Sequence, residues 1–221
     1  MKAKHSYKLA LCLGGATGVA LALSLAANAA APAAPPAPQR QLLFGTALAC
    51  AAGATLIGGM LGLWLRFRNA AIDTGGTWVP KKIVIPEVPS NIMLLTFIAL
   101  CVFAQWAVYA ARRDDRSHVA LALFLTGLMA LAIINAQAVV WVQMKLPIHD
   151  VSGSAYGVMF YAITGTFMAF LIIGMVFSFV TAFRYLGGRV TEREIVTAHA
   201  IYWYFAAAAF AALWFVVYIT K

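Results

Sequence analysis

The side chains able to ligate a metal, move a proton or attack a substrate are few here, and they are scattered. The four histidines, His5, His118, His149 and His199, fall in connectors or at the ends of apolar runs, and only His118 and His199 share an end. A heme or copper centre needs His, Cys or Met ligands with neighbours that orient them. That pair reads instead as histidines placed at an interface. Cys12, Cys50 and Cys101 lie inside apolar runs with no CxxC spacing, which indicates neither a disulfide frame nor a metal clip but small buried hydrophobes. There is no Walker loop, GxSxG or HExxH.

The elements that must position these residues are membrane spans. Of 221 residues, 63% are apolar and 10% charged, and the mean hydropathy is +0.86, outside the balance of a soluble domain. A helix needs roughly 20 apolar residues to cross about 30 Å of hydrocarbon. Five runs qualify without an internal Asp, Glu, Lys or Arg: Leu42–Leu65, Ile92–Ala111, Val119–Trp141, Gly157–Phe183 and Val196–Ile219. The predicted fold is all-α, a multi-pass transmembrane bundle of five core spans. The net charge of +9 resides in connectors and at the chain ends, so it reports topology and not a nucleic-acid surface.

Residues 1–30 join a basic start, an apolar stretch with a Gly14xxxGly18 pair, and ANAA, the order of a signal peptide, although the stretch is long enough to remain as a further helix. Both readings stand. Residues 31–41 are a Pro/Ala linker, and residues 42–221 form the membrane domain. Seven basic residues (Arg40, Arg112, Arg113, Arg116, Arg184, Arg189, Arg193) collect at one end of the five spans and six (Arg66, Arg68, Lys81, Lys82, Lys145, Lys221) at the other. That bias is too small to fix the orientation.

Polar groups inside the spans are Gln105, Asn135, Gln137, Thr55, Thr96, Thr126, Thr164 and Thr166. Such groups in hydrocarbon bond to a neighbouring helix or to their own backbone. None of the five runs holds an ionisable side chain of the kind that proton relays and ion pathways leave at membrane depth. Two small-residue faces predict close helix contact: Ala54, Gly58 and Gly62, and Gly165 with Ala169. Trp78, Arg112, Arg184, Tyr202 and Trp203 are expected at the interface, in reach of lipid headgroups. On these residues the chain is either a non-catalytic subunit of a larger complex or a small carrier with an uncharged pocket. No internal repeat and no proline-broken span is evident, which favours the subunit.

Several pieces then resemble one family. GTWVPKKIVIPEVPSN followed by MLLTFIALCVFAQWAVYAARRDDR is similar to the proline-rich loop, helix and basic turn of subunit III of heme-copper oxidases in its short five-helix bacterial form. Gln137 to Trp141 resembles a Gln-x-x-Glu-Trp ending. GSAYGVMFYAITGTFMAFLIIG resembles a segment written Phe-Tyr, Thr-Gly, His-Gly-x-His and Gly, and YWYFAAAAFAALWFVVY resembles Tyr-Trp-His-Phe-x-Asp running on to Val-Tyr. The resemblance covers about residues 75–219.

It implies a chain with no active site and no cofactor of its own, associated with subunits I and II and with phospholipid in the bacterial inner membrane. Heme and copper would sit in the partner subunits. An accessory subunit of nitric oxide reductase, in the same superfamily, is the nearest alternative, and a member of another membrane enzyme complex that reuses this bundle is the next. The departures are coordinated. Phe167 and Phe170 stand where the family has histidines, Tyr204 and Ala207 where it has His and Asp, and Val140 where it has Glu. Losing every member of a buried polar network avoids leaving one unpaired. For the Thr164-Gly165-Thr166 cluster this predicts helix and lipid packing with no bound ion.

Overall fold

The computed structural model describes residues 40–80, 83, 85–144, 155–187 and 193–220. The signal-like segment 1–30, residues 31–39 of the linker and the connector KLPIHDVSGS lie outside them. Each apolar run forms one long helix. These are α1 (Gln41–Asp73), α2 (Glu87–Arg112), α3 (Arg116–Met144), α4 (Ala155–Leu186) and α5 (Arg193–Leu213), the last passing directly into a π-helical turn, Trp214–Ile219. Among the described residues there is no strand. All five helices are long and apolar enough to cross a membrane, and the chain is an all-α multi-pass bundle.

The helix ends are written in the local sequence. α1 stops at a Thr-Gly-Gly run, where Gly75 takes φ +76°, donates to Ile72 O (2.9 Å), and lets Gly76 donate to Ala71 O (3.0 Å). This pair of bonds satisfies carbonyls that the helix end would otherwise leave open, and it requires a left-handed residue. α2 begins behind Pro86 with Glu87 in its first turn, favourable to the helix dipole. In the α2–α3 turn Asp114 has φ +57°, while Asp115 Oδ1 accepts from the His118 N–H at 3.2 Å, an N-cap for α3.

Register follows from the pairs that meet. Gly174, Ser178 and Phe167 of α4 oppose Trp203, His199 and Phe210 of α5, so α4 and α5 are antiparallel. Gln105 and Phe97 of α2 meet Tyr204 and Phe210, again antiparallel. α1 runs parallel to α5, with Leu43 beside Glu194 and Gly53 beside Phe205. α5 thus sits against α1, α2 and α4, and it buries the widest face, from Ile195 through Trp203 to Tyr218. The outer surface carries large apolar side chains such as Leu48, Phe124, Phe179 and Phe183, the composition expected where lipid is the solvent.

Two polar ties fasten the end that carries Asp114. Leu43 N–H donates to Glu194 Oε1 at 2.9 Å, so a carboxylate from α5 accepts from one of the orphan donors in the first turn of α1. Next to it in sequence, Arg193 Nη2 donates to both Asp114 oxygens, at 2.7 and 2.5 Å. Adjacent residues of α5 therefore hold α1 and the α2–α3 turn.

Candidate functional site

The polar groups inside the bundle gather at three levels. Nearest the Asp114 end, Gly174 and Ser178 on α4 face His199, Tyr202 and Trp203 on α5. His199 is fully buried. Its Nε2 lies 2.8 Å from Ser178 Oγ and 3.0 Å from Trp203 Nε1. An indole N–H can only donate, so Nε2 is assigned as the acceptor and the ring proton to Nδ1, which has no hydrogen-bond partner among the described residues. Ser178 Oγ also lies 2.9 Å from Gly174 O, so its single proton serves either that carbonyl or His199 Nε2, and it accepts from Trp203 Nε1 (3.2 Å). Tyr202 donates to Phe170 O (2.6 Å), which fixes the ring beside Gly174.

At mid-depth the arrangement is aromatic. Phe167 is buried among Phe97 and Phe210, with centroids 6.0 and 5.5 Å away, and Phe97 stacks on Phe210 at 5.1 Å. Phe170 meets Phe205 edge-on at 5.7 Å over Gly53. Thr164 is satisfied locally, donating to Phe160 O (2.7 Å) and accepting from Trp141 Nε1 (2.9 Å). Tyr204 donates to Gln105 Oε1 (2.5 Å), and Asn135 donates to its own helix at Leu131 O (3.0 Å).

At the far end Trp64, Trp78 and Tyr156 form an aromatic box with centroids 5.1 to 5.5 Å apart. Gln137 on α3 and Tyr218 in the π turn are also buried. Trp214 of the π turn donates to Asn91 Oδ1 at 2.9 Å. Among the described residues no three His, Cys, Asp or Glu side chains come together as a metal site.

Residues 39–221 match the family described as cytochrome c oxidase subunit III. The chain belongs to that family. Similar proteins named cytochrome c oxidase subunit 3 include those of Schizophyllum commune (27% identical over 70% of this chain and 59% of that protein), Rattus norvegicus (27%; 75% and 64%) and Bos taurus (28%; 76% and 64%). The chain spans about three-fifths of the length of these curated relatives.

For this subunit III family member, the structure redistributes the residues singled out from sequence. Trp78, Tyr202 and Trp203 are not at the surface. They are 7%, 8% and 0% exposed, because their rings fill the space beside Tyr156 and Gly174, and interfacial anchoring does not describe them. Arg112 and Arg184 are exposed at the Asp114 end. Ala54, Gly58 and Gly62 face out of the bundle, and a Cβ added at Gly58, Gly62 or Gly165 meets nothing within 4 Å. Close approach within the chain occurs at Gly53 and Gly174, where a Cβ would come within 2.7 Å of Phe205 and Tyr202. His199, expected at an interface, is instead buried within the bundle. It lies about 9 Å along α5 from Arg193 at 1.5 Å per residue, so an ionisable side chain does sit inside a span. The signal for it was the coincidence of Gly174-xxx-Ser178 with His199-xxx-Trp203, small polar residues and aromatic ones each recurring on a single helix face.

Proposed function

We propose that this chain is a non-catalytic, membrane-integral subunit III of a respiratory heme-copper terminal oxidase of a bacterial cytoplasmic membrane, bound to subunits I and II, which carry the heme and copper. The family match over residues 39–221 carries this reading. The interior is consistent with a supporting role. At Phe167, where the family resemblance implies histidine, a phenylalanine tilted against the stacked Phe97 and Phe210 leaves no group that could take up a proton.

The outward Ala54, Gly58 and Gly62 face of α1 is the surface on which a partner helix backbone can approach closely, and Gly165 with Ala169 is a second. A groove of about 470 Å³ between α3 and α4, lined by Phe124, Gly127, Leu131, Met175 and Phe179 with Ser178 on its wall, suits a phospholipid acyl chain. Arg112 and Arg184 stand at the end where its headgroup would lie.

Photo-cross-linking tests the docking. A photoreactive residue at position 58 or 62, activated in intact membranes, is expected to capture a peptide of the heme-bearing subunit, while one at the buried position 57 captures none. Capture only of lipid at 58 and 62 overturns the α1 docking face.

A further inference from the structure

One side of α5 is left bare by its three neighbours. Counted from Tyr204 at 100° per residue, Phe205, which meets α1 at Gly53, lies about 100° to one side. Phe210, which stacks on Phe97 of α2, lies about 120° to the other. His199 and Tyr202, which meet α4, point to the back. Ala208 and Phe215 fall within about 40° of Tyr204, and all three are exposed. The strip they form is the floor of a slot between α1 and α2.

A polar pair stands in this slot at membrane depth. Tyr204, 37% exposed, donates to Oε1 of the exposed Gln105 at 2.5 Å. Gln105 lies seven residues before Arg112, the end of α2, about 10 Å into the helix at 1.5 Å per residue. The bond engages one end of the amide, and Nε2, which carries two donors, has no partner among the described residues. With the amide turned over, the hydroxyl would accept from Nε2 and the oxygen would be left open instead. Hydrocarbon supplies neither a donor nor an acceptor. Thr96 of α2 and Asn135 of α3 meet the same demand by donating to their own helices, at Ile92 O and Leu131 O, and Gln105 does not.

The floor beside the pair also differs from the rest of the outer surface. Elsewhere that surface carries side chains such as Leu48, Phe124, Phe179 and Phe183, whereas next to Tyr204 α5 presents Ala208, Ala211 and Ala212. Small residues let a second helix backbone come close, and an amide within its reach makes an interhelical hydrogen bond. An acyl chain would fill the slot and leave the amide unpaired. Building on the reading of this chain as a subunit of a membrane complex, we propose that the slot receives a transmembrane helix of another polypeptide. That helix lies over Ala208 and Ala212 and presents a Ser, Thr, Asn or Gln side chain to Gln105, since such a group both donates and accepts.

The test uses the complex extracted intact from its native membrane. A cryo-EM map is expected to show a helix in the slot, with a hydroxyl or amide side chain at about 2.7–3.2 Å from the Gln105 amide. A complex whose slot holds lipid, or no helix, overturns the proposal and leaves the subunit reading standing, whereas a chain isolated alone removes both. Gln105→Leu/Tyr204→Phe takes away both polar groups without stranding either. It is expected to lower retention of the slot helix's polypeptide in detergent about three- to tenfold, and to leave the midpoint of thermal unfolding of the isolated full chain unchanged. Undiminished retention, or a loss matched by a lower midpoint in the isolated chain, contradicts the contact.

Discussion

A Cβ on Gly174 would come within 2.7 Å of Tyr202 Cε1 and 2.9 Å of Trp203 Cη2. Neither ring is free to move, since Tyr202 is tied to Phe170 O and Trp203 to His199. Gly174→Ala is therefore expected to cost about 1–3 kcal/mol through overpacking, seen as a lower midpoint of thermal unfolding in detergent. Gly165→Ala, with open space around it, is expected to leave the midpoint unchanged or raise it slightly, because alanine favours helix. Phe167→His is expected to lower the midpoint as well, by about 1–3 kcal/mol, because the Phe97–Phe210 surroundings offer no hydrogen-bond partner. An unchanged midpoint there would mean that the aromatic packing tolerates a polar ring. Sequence pointed to the glycines spaced by four and missed Gly174. Spacing finds residues that share a face, but which face meets another helix depends on rotation about the helix axis, which Tyr202 and Trp203 set from the neighbouring helix.

At the scale of elements, the spans were the most legible feature, because hydrocarbon thickness fixes their length: each of the five apolar runs lies inside one observed helix. Their fastening was not legible. The YLGGRVTERE turn reads as a charge count, yet Arg193 and Glu194 there hold two different elements. Glu194→Ala is expected to speed hydrogen exchange at the Leu43 amide, whereas Glu194→Gln, which keeps an acceptor, slows it again; equal exchange in both would remove Glu194 as the cap. The α3 cap gives a pH dependence. Hydrogen bonds from the His118 backbone and ring hold the exposed Asp115 carboxyl below the ordinary carboxylate range. A carboxyl lowered by folding contributes stability above its ordinary range and loses it as pH falls through the lowered one. Fraying of the first turn of α3 is therefore expected only at strongly acid pH, and an NMR titration of Asp115 at or above the usual value would contradict the cap.

For the whole molecule, the family was readable from the order of motifs across residues 75–219, and residues 39–221 match that family. The interior was less readable. His199 looked interfacial because it is near the start of its run, but α5 packs against three other helices and buries even its first turns. Burial in the centre of a bundle depends on which helix is central, and hydropathy is nearly the same for all five. The functional claim is tested most directly by purifying the tagged full chain from its native membrane in mild detergent and recording a reduced-minus-oxidised spectrum. Heme bands that travel with the chain, together with an oxidase subunit I identified by mass spectrometry, are the predicted result; a heme-free chain isolated alone would contradict it.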